Sequence, residues 1–304
     1  MITKSDFLKY LTCPTYFWFH KKKPEVLEIK ELNDFELELI KSGQEVEAWA
    51  RKLFPSGVLV ESVEEQAVID TKKLLDEGRK VIFQATFEAE GLYVMVDMLE
   101  WDENNQYWII NEAKGSTCHE KKDTRHLYDA GFQYIVLELS SLNVGKINLL
   151  ELNKEYVKNG EINPVQLIAK TNITEKINEM TSEINEMIAD MQRLMERKDE
   201  PMPCDCIYKS RANHCPAFNY LYPDVPTYSI HDIAYIGKSP KRLEGLVEGD
   251  YLDIYDVPED FELTKKQRDH VDVTQSGITV NKSIQIKELL DKMEYPFYYL
   301  DYET

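Results

Sequence analysis

The sequence predicts an α/β protein: a central mixed sheet flanked by helices, with a cysteine-bearing helical part and a helical carboxy-terminal segment. Two observations predict it. Three strand-like apolar runs follow one another, Lys80 to Phe87, Leu92 to Trp101 and Tyr107 to Lys114, parted by the turn signals Glu90-Gly91 and Asp102 to Asn105. Segments of helical periodicity stand on either side of this meander, and the second of them leads into a further strand, Lys146 to Leu152.

In chain order, Phe35 to Phe54 carries apolar residues at helical spacing (Leu37, Ile40, Val46, Trp49, Ala50, Leu53), and Pro55-Ser56-Gly57 stops it. Val58-Leu59-Val60 is a short strand, and Val63 to Leu75 a second helix ended by Glu77-Gly78. After the meander come a helix over His126 to Leu142 and the strand just named. From Asn172 on, Ile173, Ile177, Met180, Ile184, Met187, Met191 and Leu194 fall three or four apart. That is one long amphipathic helix, with Asn172 and Glu175 as a capping-box-like start. Pro201, Pro203 and the cysteine segment end it, and residues 228 to 292 read as short helices with turns at Gly237, Gly245, Gly249 and Gly277.

The chain has 304 residues, 43% hydrophobic and 11% aromatic, enough to bury a sizeable core. No apolar stretch approaches the span of a bilayer and the charged amino terminus does not read as an export signal, so we expect no membrane partner and a cytoplasmic location. Five cysteines in a reducing compartment are better metal or cluster ligands than disulfide partners. The net charge of −19 weighs against binding nucleic acid through overall charge. Four basic clusters stand against that background: Lys21-Lys22-Lys23, Lys121-Lys122 with Arg125, Lys238 with Lys241-Arg242, and Lys265-Lys266 with Arg268.

The chemistry gathers at Asn111-Glu112-Ala113-Lys114, which ends an apolar strand. Side chains two apart share a strand face, so Glu112 and Lys114 sit together, with Asp97 arriving from the neighbouring strand. Two carboxylates and an ammonium suit phosphodiester hydrolysis. The carboxylates hold Mg²⁺ or Mn²⁺, the ion polarises the phosphate and acidifies a water, and the lysine orients that water or offsets developing charge. The bland alternative is that Asp97 accepts ordinary hydrogen bonds while Glu112 and Lys114 form a surface ion pair. On the next helix Asp129 and Gln133 lie four apart and share a face that can look toward the same place. Cys204, Cys206 and Cys215, the last preceded by His214, make a compact soft-ligand site short of one tetrahedral partner, which Cys13 can supply. Zinc, with or without His214, is one occupant of such a site. Cys118 reads as an ordinary thiol.

These residues resemble the RecB-like branch of the PD-(D/E)XK nucleases, which includes the CRISPR-associated four-cysteine adaptation exonucleases. The resemblance runs over residues 1–220 in motif order. It begins with Ser5-Asp6-Phe7-Leu8 to Tyr10-Leu11-Thr12-Cys13-Pro14 with Phe17-Trp18, continues through Gly43-Gln44-Glu45-Val46-Glu47 and Asp97, and ends with Glu112, Lys114 and Gln133. Glu47 stands where a histidine is frequent, and Leu137 where a tyrosine is usual. The resemblance implies a nuclease domain with Asp97, Glu112, Lys114 and Gln133 as catalytic residues, and with Glu47 joining Asp97 and Glu112 around Mg²⁺ or Mn²⁺. It also implies a [4Fe-4S] cluster on Cys13, Cys204, Cys206 and Cys215, DNA with single strands or ends as substrate, and protein partners in repair or foreign-DNA defence. Tyr298 to Thr304 is an apolar strand whose Asp301 and Glu303 resemble the first motif of DEDD exonucleases of the RNase H-like fold. Residues 221–292 are then a small helical segment, and 293–304 the first strand of a truncated second domain. The competing reading is a scaffold that keeps the nuclease shape to bind nucleic acid or a partner.

Overall fold

The computed structural model of the chain describes residues 1–28, 31–117, 124–278 and 282–300. It has the expected α/β architecture, a mixed sheet of seven strands flanked by helices. The first part runs β1 (Ile2–Thr3), α1 (Lys4–Thr12), α2 (Pro14–Lys22), α3 (Asp34–Arg51), β2 (Val58–Leu59), α4 (Glu64–Asp76), β3 (Val81–Ala89), β4 (Leu92–Asp102) and β5 (Tyr107–Thr117). It continues with α5 (Thr124–Leu139), β6 (Val144–Leu152), α6 (Pro164–Leu167), β7 (Ile168–Asn172) and α7 (Thr174–Glu196). After these come α8 (Phe218–Leu221), α9 (Pro240–Glu248), α10 (Lys265–Ser276) and α11 (Ser283–Leu290).

The strand order is β2-β3-β4-β5-β6-β7. β3, β4 and β5 form the antiparallel meander, β6 joins β5 in parallel by way of α5, and β7 runs antiparallel to β6. One edge of β4 is shared: β1 pairs in parallel with Leu92 and Tyr93, whereas β5 takes Met98 to Asp102. The stretch between, Val94 to Asp97, lies where the two neighbours part. Two apolar cores cover the sheet. Ile82, Val94, Val96, Leu99, Ile110 and Leu149 pack with Phe7, Phe17, Phe132, Ile177 and Ile184 of α1, α2, α5 and α7. Val81, Phe83, Met98 and Leu150 pack with Val46 and Ala50 of α3 and with Phe54. Each such side chain contributes roughly 1.5–3 kcal/mol.

Periodicity and structure differ at two of the helices. In α3 only Val46 and Ala50 are buried while Leu37 and Ile40 stay exposed, because only the second half of this helix lies on the sheet. At α7 the stripe faces inward as expected, but the capping box does not form. The Asn172 side chain accepts from the Thr174 N–H at 2.9 Å and from its hydroxyl at 2.6 Å, and Thr174 Oγ1 in turn accepts from the Ile147 N–H at 3.0 Å, tying the helix start to β6.

A capping box does form at α1. Thr3 Oγ1 accepts from the Asp6 N–H at 3.2 Å, and Asp6 Oδ2 accepts from the Thr3 N–H and hydroxyl, both at 2.9 Å. Lys21 Nζ lies 2.9 Å from the same oxygen and His20 Nε2 3.5 Å from the other. Burial of Asp6 opposes its charge, but the Thr3 N–H and Lys21 outweigh it and hold the carboxyl below its ordinary range. A carboxylate with a lowered folded value stabilises above the pH at which it titrates unfolded, about pH 4, and loses that contribution as the pH falls through the lowered value. Asp6→Ala is therefore expected to cost about 2 kcal/mol near neutral pH. Chemical denaturation should report it, with the gap to the parent protein closing in acid.

By its internal contacts the chain divides into two compact units, Met1–Cys204 with Cys215–Ala217, and Asp205–His214 with Phe218–Thr304. The second has its own small core of Ile230, Ile233, Ile236, Leu243, Leu246, Ile254, Val257 and Val271. Within it Arg211 Nε donates to Asp232 Oδ1 at 2.6 Å, and the buried His231 bonds Ser229 Oγ at 3.0 Å and the Ile207 carbonyl at 2.7 Å. Tyr298 to Leu300 carry no strand. Cys118, Lys121, Lys122, Asp301 and Glu303 lie outside the described residues. Among the described residues, no helix is long and apolar enough to cross a membrane.

Candidate active site and cysteine cluster

Asp97 sits at a break in the sheet. Phe83 pairs with Met98 and Ala85 with Val96, so Gln84 and Asp97 oppose one another, and Gln84 adopts φ +54°. Val96 packs into one core and Met98 into the other, so the alternation of faces resets at this point. Asp97 Oδ2 accepts from the Ala113 N–H at 2.9 Å, just beyond the last paired residues of β4 and β5, which joins the two strands side chain to backbone where their ladder ends.

Glu112 and Lys114 lie together, as the period-two reading requires, and Glu112 has no exposed surface. Its Oε1 accepts from Lys114 Nζ at 2.8 Å and from Lys4 Nζ at 3.0 Å, and its Oε2 from Gln133 Nε2 at 2.9 Å. Asp129, one turn before Gln133 on α5, accepts from Gln133 Nε2 at 3.0 Å, pairs with Lys114, and lies 3.4 Å from Lys4 Nζ. Glu47 comes from α3, where Gly43 lets the helix lie close to β5: a Cβ on Gly115 would meet Gly43 Cα at 3.2 Å. Its Oε1 accepts from Arg51 and from Gln84 Nε2, each at 2.5 Å.

Burial opposes the charge on Glu112, but Lys114 and Lys4, with the bonds from Lys114 and Gln133, overcome it and hold the carboxyl ionised far below its ordinary range. Asp97 goes the other way. Burial raises it first, and the negative charges of Glu112 and Glu47 add to that, with Lys4 and the Ala113 N–H opposing. Burial likewise works against the ammonium groups of Lys4 and Lys114, and Glu112 and Asp129 outweigh it and raise both. The site thus pairs a carboxylate that stays charged with one that resists charging.

The second constellation is sulfur. The Sγ atoms of Cys13, Cys204, Cys206 and Cys215 all lie within 4.8 Å of one another, and Cys13, Cys206 and Cys215 are buried. Cys204 and Cys215 are 3.8 Å apart, far beyond a disulfide bond. His214 is engaged elsewhere: its Nε2 is 2.9 Å from the Lys209 carbonyl and its ring stacks on Phe218 at 3.5 Å. Among the described residues, this is the one set of three or more His, Cys, Asp or Glu side chains whose ligand atoms converge within that distance. The acids at 47, 97 and 112 are spread more widely, with Lys4 interacting with both Asp97 and Glu112.

No family model and no curated protein matches the chain. It is similar to a solved alkaline exonuclease from Laribacter hongkongensis, at 12% identity and a TM-score of 0.35, over 64% of this chain and 90% of that one.

The structure brings Asp97, Glu112, Lys114, Asp129 and Gln133 into one place. The residue that the sequence did not reveal is Lys4. It is the first residue of α1, and β1, pairing with Leu92 and Tyr93, aims it at Glu112. The only sequence signal was its place beside the Thr3–Asp6 cap.

Proposed function

We propose that the first unit is a Mg²⁺- or Mn²⁺-dependent nuclease of the PD-(D/E)XK type, hydrolysing phosphodiesters of DNA at single strands or ends. The observation that supports it most is the ionised Glu112 clamped by Lys114, Lys4 and Gln133 beside Asp97, where β4 and β5 part. Asp97, Glu112 and Glu47 are hard oxygen donors suited to such an ion. The environment that resists charge on Asp97 is one a divalent cation would relieve, and the buried Gln133 Oε1 has no hydrogen-bond partner among the described residues. When bound, the cation supplies Lewis acidity toward the phosphate and a more acidic water. The chain does the rest: Gln133 fixes the Glu112 carboxylate, Asp129 steers Lys114, and the two ammonium groups face the anionic phosphate and the charge that builds on it.

Labelled single-stranded DNA incubated with Mn²⁺ tests this. The parent protein should degrade it, EDTA should stop the reaction, and Asp97→Asn should slow it by roughly 100-fold or more. Equal degradation by parent and variant would overturn the reading. One observation favours a non-cutting scaffold instead: Lys4 stands among acids whose oxygens do not all come within 4.8 Å of one another. Binding of DNA with no metal-dependent cleavage would select that alternative.

For the four cysteines we infer a structural metal. The resemblance implies [4Fe-4S], whereas the sulfur spacing favours a single tetrahedral ion: a Zn–S bond of about 2.3 Å gives S–S edges of about 3.8 Å. Cys204 and Cys215 have that separation. Elemental analysis of anaerobically purified protein decides between zinc and iron with acid-labile sulfide.

A further inference from the structure

Two of the basic runs in the sequence meet in the second unit. Two cavities of about 570 and 460 Å³ adjoin at Ser239; Lys241 lines the first, and Lys238, Lys265 and Lys266 the second. Gln267 Nε2 donates to Ser239 Oγ at 3.2 Å, which pins the start of α10 to the start of α9. All four lysines are exposed, and none has an ion-pair partner among the described residues. The one acid lining the cavities, Glu262, is taken up by Arg242 at 3.1 Å.

At the centre stands an aromatic ring. Tyr235 is 59% exposed, and Lys238 and Lys266 lie 5.5 and 5.1 Å from its ring centroid. Its backbone is held at φ +59°, a left-handed conformation that costs a non-glycine residue of order 1 kcal/mol. In a chain of net charge −19, an unpaired cationic patch around an exposed, strained aromatic runs against the composition.

We propose that this face binds the backbone of single-stranded nucleic acid. The lysines take phosphates, and Tyr235 stacks on a base. The interaction is sequence-independent, since charge and a ring face read no base edge. It shares its ligand class with the nuclease reading but none of its residues, and it needs no divalent metal.

The test is fluorescence anisotropy of a labelled oligothymidylate with the full chain in EDTA, titrated at several salt concentrations. Lys238→Glu with Lys266→Glu should weaken binding at least tenfold and flatten the dependence of log Kd on log salt by about 1.4, the slope of two lost phosphate contacts. Tyr235→Ala should weaken it about fivefold or more with the slope unchanged. The control pair Lys282→Glu with Lys292→Glu removes equal charge elsewhere in the unit and should leave both quantities as they were. Parent-like affinity and slope in the first double variant, an equal loss in the control, or tighter binding to duplex would overturn the proposal. So would binding to phosphatidylserine vesicles with none to the oligonucleotide. Failure of cleavage with EDTA binding intact strikes the nuclease reading alone, and the converse strikes this one alone.

Discussion

Glu112→Gln is expected to lower metal-dependent cleavage of single-stranded DNA by roughly 1,000-fold, the largest effect of any single substitution in the chain. Glu112 is the shared partner of Lys4, Lys114 and Gln133 and has no exposed surface. The amide keeps the shape but removes the charge that holds both ammonium groups, leaving Lys114 to Asp129 and Lys4 to Asp129 and Asp97. Breaking a buried ion pair on one side costs about 3–5 kcal/mol, so a melting curve must accompany the rate. Lys4→Met supplies the contrast. It removes a positive charge that interacts with Asp97 and Glu112, so Mn²⁺, followed by calorimetry, should bind more tightly even as turnover falls. A Glu112→Gln protein that is folded and still cuts at the parent rate would remove this residue from the mechanism.

Cys13→Ser should produce a large loss of stability. Cys13 ends α1 and starts α2, where its Sγ accepts from the Tyr16 N–H at 3.5 Å. Serine is itself a good helix cap, so the substitution spares the cap and removes only the soft ligand. Structural zinc contributes an apparent 10–16 kcal/mol of binding to the fold it organises. Losing a quarter of the ligands should cost at least about 3 kcal/mol, or some 6–12 °C in melting midpoint for a unit of this size. Calorimetry with and without a chelator checks it: stripping the parent protein should bring it down to the variant or below. A parent protein that melts alike in both conditions would show that the thiols hold nothing of structural weight.

What could be read in advance follows the length scale of the signal. Glu112, Lys114 and Asp97 were legible because a strand alternates every second residue and two turns fixed the order of the meander. The three thiols at 204, 206 and 215 announced themselves by proximity in sequence. Lys4 was not legible, because β1 is only two residues long and pairs with a strand some ninety positions away; two residues have no periodicity. Asp129 looked as much like a solvated helix residue as a functional one, and only the fold gives it two lysines. The position of Glu47 depends on Gln84, whose left-handed backbone nothing in its side chain foretells. β7 escaped because a five-residue edge strand, with Ile168 its one buried apolar side chain, leaves too weak a pattern.

The arrangement of the first residues bears on how the protein should be handled in the laboratory. Ile2 and Thr3 are laid along β4, the carbonyl of Met1 accepts from Lys21 Nζ at 3.0 Å, and the next side chain after the cap is the ammonium that reaches Glu112. An affinity tag fused upstream would hang within a few residues of the carboxylates, and a polyhistidine run there could chelate the same ions the assay supplies. Recombinant forms meant for turnover measurements are better tagged downstream, or freed of the fusion before any rate is compared.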